Sequence, residues 1–248
     1  MREFRVAAIS DIHGNRWALE AVLADIDRRA VDKIVNLGDS IYGPLDPEEC
    51  ARILIERNIF SIRGNEDRIY NLPPSATVDY VMSKISTRTK EWLAGMQSEN
   101  VIDPSIVMFH GIPGKDDEYL LTAVHSNGTT LRETAEIEKR LENIDQRMVL
   151  CGHDHTQRTI GLSGGRRVVN PGSVGLPAYT DTTPYEHIIE AGSPHARYTL
   201  IEISPHETRI EEIQVIYDWE MAARRARGNG RLDWAYWLSQ GKVSSGSK

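Results

Sequence analysis

The sequence predicts one domain of the α/β class, with a mixed sheet system and helices packed outside it. In its first half, strand-like and helix-like segments alternate along the chain. In its second half, short strand-like runs follow one another across Gly, Pro and Ser turns. No linker or internal repeat divides the 248 residues, so we expect a single domain over residues 1–248 that ends in a disordered tail at 241–248.

The elements of the first half follow from apolar spacing and from helix-capping residues. Leu19, Val22, Leu23 and Ile26 recur at i, i+3, i+4 and i+7 spacing, which predicts a helix. The tetrapeptide Asp-Pro-Glu-Glu at 46–49 is typical of the start of another helix. Further helices are expected over 76–93 and 129–143, and strands over 4–9, 33–37, 60–63, 106–109 and 148–151.

The second half predicts three more strands and a final amphipathic segment. The strands are expected over 166–169, 197–203 and 208–215, and the helical segment over 218–238 with a break at Gly228-Asn229-Gly230. Near its end, Trp234 and Trp237 are expected to be core residues. The histidines expected to be ordinary surface or loop residues are His125, His187, His195 and His206.

Composition and charge limit the classes of function. The chain is 40% hydrophobic and 26% charged, as in an ordinary globular protein, and its formal net charge is −7. An acidic protein is poorly suited to general nucleic-acid binding, because neutralising a phosphate backbone requires a basic surface. A small nucleotide substrate stays compatible with this charge, since a bound dication would supply local positive charge.

We expect a cytoplasmic protein without a membrane partner. The chain has only two cysteines, Cys50 and Cys151, which predicts a reducing compartment and two small buried side chains rather than a disulfide framework. Met1 leads directly into an apolar run without the basic and long apolar regions of a signal peptide, and no window reaches the length of a membrane span. The sequence leaves the oligomeric state open.

Five short polar motifs each follow a predicted strand. They supply two carboxylates, one amide and four imidazoles, namely Asp11, His13, Asp39, Asn65, His110, His153 and His155. Loops at strand ends are where sheets of this kind bind ligands, so the repeated placement is more informative than any single motif. Taken alone, each motif also fits a structural role, such as a helix cap, a strand end or a satisfied core histidine.

This set of oxygen and nitrogen donors predicts a transition-metal site. It suits Mn²⁺, Fe, Zn²⁺, Ni²⁺ or Co²⁺ and fits a pure Ca²⁺ or Mg²⁺ cage poorly. Seven ligands are too many for one ion but suit two ions that share a carboxylate. Two dications at about 3.5–4 Å clamp the attacking and leaving oxygens of a phosphoryl displacement. We therefore expect two divalent ions, with Mn²⁺ first among these metals.

In this order, the motifs resemble those of the calcineurin-like metallophosphoesterase superfamily, in its small single-domain prokaryotic branch of phosphodiesterases and phosphatases. The resemblance is carried by DIHGNRWALEAVLADI, LGDSIYGPLDPEEC, RGNEDR, FHGIP, CGHDHT and VNPGSVGLP, and it covers nearly the whole chain. It implies a four-layer αββα sandwich, in which two mixed β-sheets are flanked by helices.

The resemblance also implies a role for each ligand. Asp39 would bridge the two ions. One ion would be bound by Asp11, His13 and His155, and the other by Asn65, His110 and His153. A hydroxide held between the ions would attack phosphorus in line and so hydrolyse a phosphate ester or anhydride.

Glu66 stands where many superfamily members have a histidine that assists the leaving group. A carboxylate beside two dications should have a lowered pKa and be a poor proton donor. We therefore expect leaving groups that need little protonation, as in nucleotide-type phosphodiesters or phosphoanhydrides. The residues expected to act in catalysis are Asp39, Asn65 and Glu66, and those expected to contact the substrate are Asn65, Asn170 and Ser173.

Other features near these motifs bear on specificity. Where the branch often has an arginine after Gly-Ser-Val-Gly-x-Pro, this chain has Ala178, so one phosphate contact is missing. The segment 179–195 is longer than a tight turn requires. Asp67 is expected to orient a neighbouring side chain.

Two alternative functions remain open at this stage. One is a protein serine/threonine phosphatase, although the chain has no extra length for an extended peptide groove. The other is a non-catalytic interaction scaffold on the same fold. A scaffold would be expected to have lost some ligands, and all seven positions hold competent residue types, which favours an enzyme.

Overall fold

The structure is a computed structural model, and it describes residues 4–204 and 207–243. His206 and residues 244–248 of the expected tail lie outside the described residues. Residues 241–243 are hydrogen-bonded to the segment 190–192. The Gly241 carbonyl oxygen accepts a hydrogen bond from Gly192 N at 2.9 Å, and Val243 N donates one to the Glu190 carboxylate at 2.7 Å.

The helices and strands have the following bounds. The strands are β1 (Phe4–Ile9), β2 (Lys33–Asn36), β3 (Phe60–Ser61), β4 (Glu99–Asp103), β5 (Ile106–Phe109), β6 (Thr122–His125), β7 (Gly128–Leu131), β8 (Met148–Leu150), β9 (Arg158–Gly161), β10 (Arg167–Asn170), β11 (Ala178–Asp181), β12 (His187–Glu190), β13 (Ala196–Ile203) and β14 (Thr208–Val215). The α-helices are α1 (Arg16–Ile26), α2 (Pro47–Glu56), α3 (Ala76–Lys84), α4 (Thr87–Ala94), α5 (Thr134–Arg140), α6 (Trp219–Gly228) and α7 (Leu232–Gln240).

The strands form two five-stranded mixed sheets and two separate hairpins. The first sheet has the order β14-β13-β1-β2-β3, and the second has the order β4-β5-β8-β10-β9. In the first sheet β1, β2 and β3 are parallel, and in the second β5, β8 and β10 are parallel. Each sheet therefore has a block of parallel strands whose carboxyl ends share one edge.

The two sheets pack face to face, with helices on both outer faces. Val6 and Ala8 of β1 lie in a buried cluster with Ile106 and Met148 of the second sheet, whereas Ile9 packs against the helix side. This alternation follows from the period of two in a strand. Helices α1, α6 and α7 cover the first sheet, and α5 covers the second. The four-layer αββα sandwich is thereby confirmed.

The structure corrects two of the predicted helices. The segment predicted over 76–93 is two helices, because Ile85 is extended and the Ser86 hydroxyl caps the new helix α4 at Thr89 N. The segment predicted over 129–143 contains only α5, because its first residues form β7, which pairs with β6. The charged residues of this segment all lie within 132–142, so their spacing says nothing about the residues of β7.

Within the described residues, no helix is long and apolar enough to cross a membrane. The cytoplasmic location stays a prediction from the sequence. Cys50 and Cys151 are buried and free, as the sequence predicted.

The loops that follow β2 and β3 touch each other through their backbones. A Cβ at Gly38, whose φ is +106°, would lie 2.4 Å from Gly64 N, so the approach requires glycine. The buried Asp67 carboxylate accepts hydrogen bonds from Asp39 N (2.8 Å), Ser40 N (2.9 Å) and Gly64 N (2.9 Å). Asp67 thus ties together the two loops that carry Asp39 and Asn65.

Replacing Asp67 by alanine should destabilise the fold strongly. Three buried N–H groups would lose their acceptor, and we expect the free energy of unfolding to fall by about 3 kcal/mol. Urea denaturation of the variant measures this change. The exposed Asp145→Ala variant is the control and should stay within about 0.5 kcal/mol of the wild type. Equal losses in the two variants would contradict the structural role of Asp67.

Candidate metal centre

The predicted ligands lie at the common edge where the parallel strands of both sheets end. Asp11 and His13 follow β1, Asp39 follows β2, and Asn65 follows β3, all in the first sheet. In the second sheet, His110 directly follows β5, and His153 and His155 follow β8. Stacking the two sheets therefore brings loops that are far apart in sequence to one place.

Six of the seven predicted ligands form two compact groups. One group is Asp11, His13 and His155, and the other is Asp39, His110 and His153. Within each group the ligand atoms all lie within 4.8 Å of one another. Asn65 lies beside them and lines the same cavity as Asp39 and His153. A third such group, His13, Asp39 and Glu66, overlaps both of them.

Most of these residues have an unusual backbone conformation. Positive φ angles occur at Asp11 (55°), His13 (51°), Asp39 (52°), His153 (71°) and His155 (53°). For residues with a Cβ this left-handed region is unfavourable, and such residues concentrate at functional sites. The chain is bent in this way after β1, β2 and β8, where these five ligands lie.

Three of the imidazoles are oriented by backbone carbonyls. Nδ1 of His110 lies 2.7 Å from the Leu37 carbonyl oxygen, and Nδ1 of His155 lies 2.7 Å from that of Leu176. Nδ1 of His13 lies 3.1 Å from the Tyr42 carbonyl oxygen. Each Nδ1–H donates to its carbonyl, which leaves Nε2 with a lone pair for a metal ion.

The Nε2 atoms converge on each other and on the carboxylates. His13 Nε2 and His155 Nε2 are 3.1 Å apart, and His110 Nε2 is 3.3 Å from Asp39 Oδ2. Among the described residues, Asp11 Oδ1, Asn65 Oδ1 and His110 Nε2 are buried without a hydrogen bond, although His155 Nε2 lies 3.4 Å from Asp11 Oδ1. Buried polar atoms are seldom left without a partner, so these atoms fit a site that is built for metal ions.

The electrostatics of the protein alone show how tightly the charges are coupled. Burial acts to lower the pKa of His110, but the charges of Asp39 and Asp11 outweigh it and raise that pKa to about 10. His13 behaves in the same way, because Glu66 and Asp39 overcome burial and raise its pKa to about 9. Burial and the charge of His110 lower the pKa of His153 to about 3. In the metal-free protein, protonated imidazoles thus balance the carboxylates.

Glu66 lies against the first group. Its Oε2 is 3.2 Å from His13 Nδ1, and its backbone N–H donates to Asp39 Oδ1 at 2.8 Å. Burial raises the pKa of the Glu66 carboxyl to about 7, and the charge of Asp39 acts in the same direction, whereas His13 lowers it. Bound dications would lower this pKa, as the sequence argument holds. Besides contacting His13, Glu66 lines the cavity described below.

Asn170 and Ser173 form hydrogen bonds with the loops that carry the predicted ligands. Asn170 Nδ2 donates to Gly152 O at 3.0 Å and to Asp154 Oδ1 at 2.8 Å, and Ser173 Oγ donates to Asp11 O at 2.7 Å. Both side chains are buried, and neither is among the described residues that line the cavity. The geometry gives no support to the substrate contacts expected for these two residues and instead shows that they fix the loops of His153 and Asp11.

A cavity of about 390 Å³ opens above the ligands. Sequence reasoning missed most of its wall, which contains Tyr42, Leu176, Tyr179, Thr180, Asp181, Arg231, Asp233, Trp234 and Trp237. Trp234 and Trp237 are buried, as expected, but they also face the site. The long segment 179–195 was the one available signal, and it forms the hairpin β11–β12.

The other histidines differ in their surroundings. His187 was expected at the surface or in a loop, and this was wrong: it is buried in β12, and its Nε2 lies 3.0 Å from the Tyr119 hydroxyl. The Tyr119 hydroxyl lies 2.7 Å from that of Tyr179. His125 is exposed at the end of β6, as expected, and does not line the cavity.

Comparison with known proteins identifies the family to which this chain belongs. Residues 4–190 match the calcineurin-like phosphoesterase superfamily domain. An uncharacterised protein of Methanocaldococcus jannaschii is 24% identical over 92% of this chain and 94% of its own length. The crystal structure of a metallophosphoesterase from Sphaerobacter thermophilus has a TM-score of 0.71 at 24% identity, over 94% of this chain and 100% of that one.

The family match includes every predicted ligand and ends before α6 and α7. The floor of the cavity therefore lies within the matched region, whereas the wall formed by α7 lies beyond it. The chain belongs to the calcineurin-like phosphoesterase superfamily and is a metal-dependent hydrolase of phosphate esters.

Proposed function

We propose that this protein hydrolyses nucleotide-type phosphodiesters or phosphoanhydrides with two divalent metal ions and a hydroxide held between them. The observation that supports this most directly is the pair of ligand groups, each with its donor atoms within 4.8 Å, on the floor of one cavity. Two such groups side by side suit a two-metal displacement at phosphorus.

Each ligand has a role in this proposal. Asp11, His13 and His155 would hold one ion, Asn65, His110 and His153 would hold the other, and Asp39 would be shared by both. When bound, the ions lower the pKa of water and neutralise charge on the phosphoryl oxygens. Mn²⁺ is our first candidate, and Fe, Zn²⁺, Ni²⁺ or Co²⁺ would suit the same mixed nitrogen and oxygen donors.

The protein supplies orientation and charge around these ions. The carbonyls of Leu37 and Leu176 fix the rings of His110 and His155, so that little rearrangement is needed when metal binds. Asn65 faces the cavity with an unpartnered oxygen and can also contact a phosphoryl group. Asp39 is held by Glu66 N and Asp67, which keeps the bridging carboxylate in place.

The proposed role of Glu66 concerns the choice of leaving group. Its carboxylate lies 3.2 Å from His13 Nδ1, and once ionised by nearby dications it has no proton to give to a departing oxygen. Substrates whose leaving group is already a weak base are then favoured over simple alkyl esters. The scaffold alternative offers no reason for two buried groups of ligand atoms beside Asn65 Oδ1, which has no hydrogen-bond partner among the described residues.

Removing the bridging charge tests the proposed function. Asp39→Asn should lower Mn²⁺-dependent hydrolysis of bis(p-nitrophenyl) phosphate by about a hundredfold or more, because the amide cannot bridge two dications. Metal-stripped protein is reloaded with Mn²⁺ and assayed by p-nitrophenolate release. The control is Asp27→Asn, an exposed carboxylate paired with Arg57, which should keep wild-type activity. Full activity in Asp39→Asn would refute the proposal.

A second variant tests the role of Glu66. Glu66→His should raise hydrolysis of an alkyl phosphodiester relative to bis(p-nitrophenyl) phosphate by about tenfold, because an imidazolium can protonate a strongly basic leaving oxygen. The ratio of kcat/KM for the two substrates is the readout. Glu66→Gln removes the charge without adding a proton donor, so it should leave the ratio unchanged. The idea fails if both variants shift the ratio equally or neither does.

A further inference from the structure

One wall of the cavity contains none of the predicted metal ligands. This wall comes from α7 with the residue before it and from hairpin strand β11, and its polar and aromatic members are Tyr179, Thr180, Asp181, Arg231, Asp233, Trp234 and Trp237. Together with the predicted ligands it borders a space of about 390 Å³, which is large enough for an organic group attached to the reacting phosphorus.

Helix α7 is locked against the metal centre through Trp234. The indole packs edge-on to the His13 ring, with the ring centroids 5.9 Å apart. A Cβ at Gly43 would lie 2.8 Å from the indole and 2.6 Å from the His13 carbonyl oxygen, so the indole occupies space that only glycine leaves free. The wall therefore has a fixed position relative to the ligands.

Arg231 is fixed as firmly as Trp234. Its Nη1 donates to Thr77 Oγ1 at 2.6 Å, which ties it to α3, and its guanidinium carbon lies 5.4 Å from the Trp234 ring centroid. Nε and Nη2 donate to the two oxygens of Asp233 at 2.9 and 2.7 Å. These bonds use only part of the donors of the guanidinium and of the acceptors of the carboxylate, so the pair offers both kinds of group to the cavity.

The wall carries more negative than positive charge. Arg231 is the only lysine or arginine among the described residues that line the cavity, and Asp233 already matches its charge. Asp181 and Glu66 add further carboxylates on the same surface. Asp181 accepts hydrogen bonds only from the backbone N–H groups of Thr182 and Thr183 among the described residues, so no cation compensates it.

We propose that the Arg231–Asp233 pair and its neighbours form a subsite that selects an uncharged, hydrogen-bonding organic group, such as a nucleoside, over a phosphate chain. This proposal rests on the proposed function and decides between the two substrate types that it allows. A neutral group with donors and acceptors satisfies both halves of the pair. A phosphate chain that extends past the ions onto the wall would meet Asp181 and Asp233, and Arg231, the one lysine or arginine among the described lining residues, already pairs with Asp233.

Two substrates that both end in adenosine can test whether the subsite prefers a neutral organic group to a phosphate chain. One is the diester adenylyl-(3′→5′)-adenosine, and the other is diadenosine tetraphosphate, in which a phosphate chain follows the reacting phosphorus. Asp233→Asn leaves the charge of Arg231 unbalanced and should therefore favour the chain. We expect the ratio of kcat/KM for the diester to that for the tetraphosphate to fall by about tenfold, mainly through KM.

Control variants make the outcome decisive. Asp27→Asn neutralises an exposed carboxylate that also pairs with an arginine, and its ratio should stay within about twofold of the wild type. If circular dichroism shows that Asp233→Asn is misfolded, Asp181→Asn replaces it, and its ratio should fall by about threefold. An unchanged ratio in the folded variant overturns the subsite. Failure of the proposed function would look different, because the wild type would then hydrolyse neither substrate, nor bis(p-nitrophenyl) phosphate, with Mn²⁺.

Discussion

The backbone at the ends of the parallel strands is the constraint on which the rest of this structure depends. Asp11, His13, Asp39, His153 and His155 all have positive φ angles. Each such residue costs about 1–2 kcal/mol relative to an ordinary conformation. Surrounding loops must therefore hold these positions, and they do so through the Gly38–Gly64 approach and through buried side chains such as Asp67. As a result, side chains from the two sheets lie close together at one site.

The close packing of these side chains also determines the protonation of the site and the way in which it would bind metal ions. Carboxylates and imidazoles are buried together, and in the protein alone the acids hold His13 and His110 protonated, with pKa values of about 9 and 10. Metal ions require neutral imidazoles, so binding them releases these protons. In our proposal, the floor of the cavity binds the metal ions, and the wall from α7, which lies beyond the family match, contacts the part of the substrate that distinguishes one substrate from another.

Much of the floor could be predicted from the sequence, because each ligand motif is local and directly follows a strand with clear apolar spacing. The wall could not be predicted. Trp234 shows only the helical spacing of a core residue, and its contact with His13 depends on long-range packing against Gly43. The break at Ser86 was missed because a serine cap within an amphipathic run resembles an ordinary helical position. The buried roles of Asn170 and His187 likewise depend on partners that are distant in sequence.

The central claim is that one chain binds two metal ions at this edge of the sheets. Calorimetric titration of Mn²⁺ into metal-stripped protein tests it most directly, with the heat measured in two buffers of different ionisation enthalpy. The account predicts two bound ions for each chain, with protons released on binding. A single bound ion, or none, would contradict the two-metal centre, whatever the activity of the preparation.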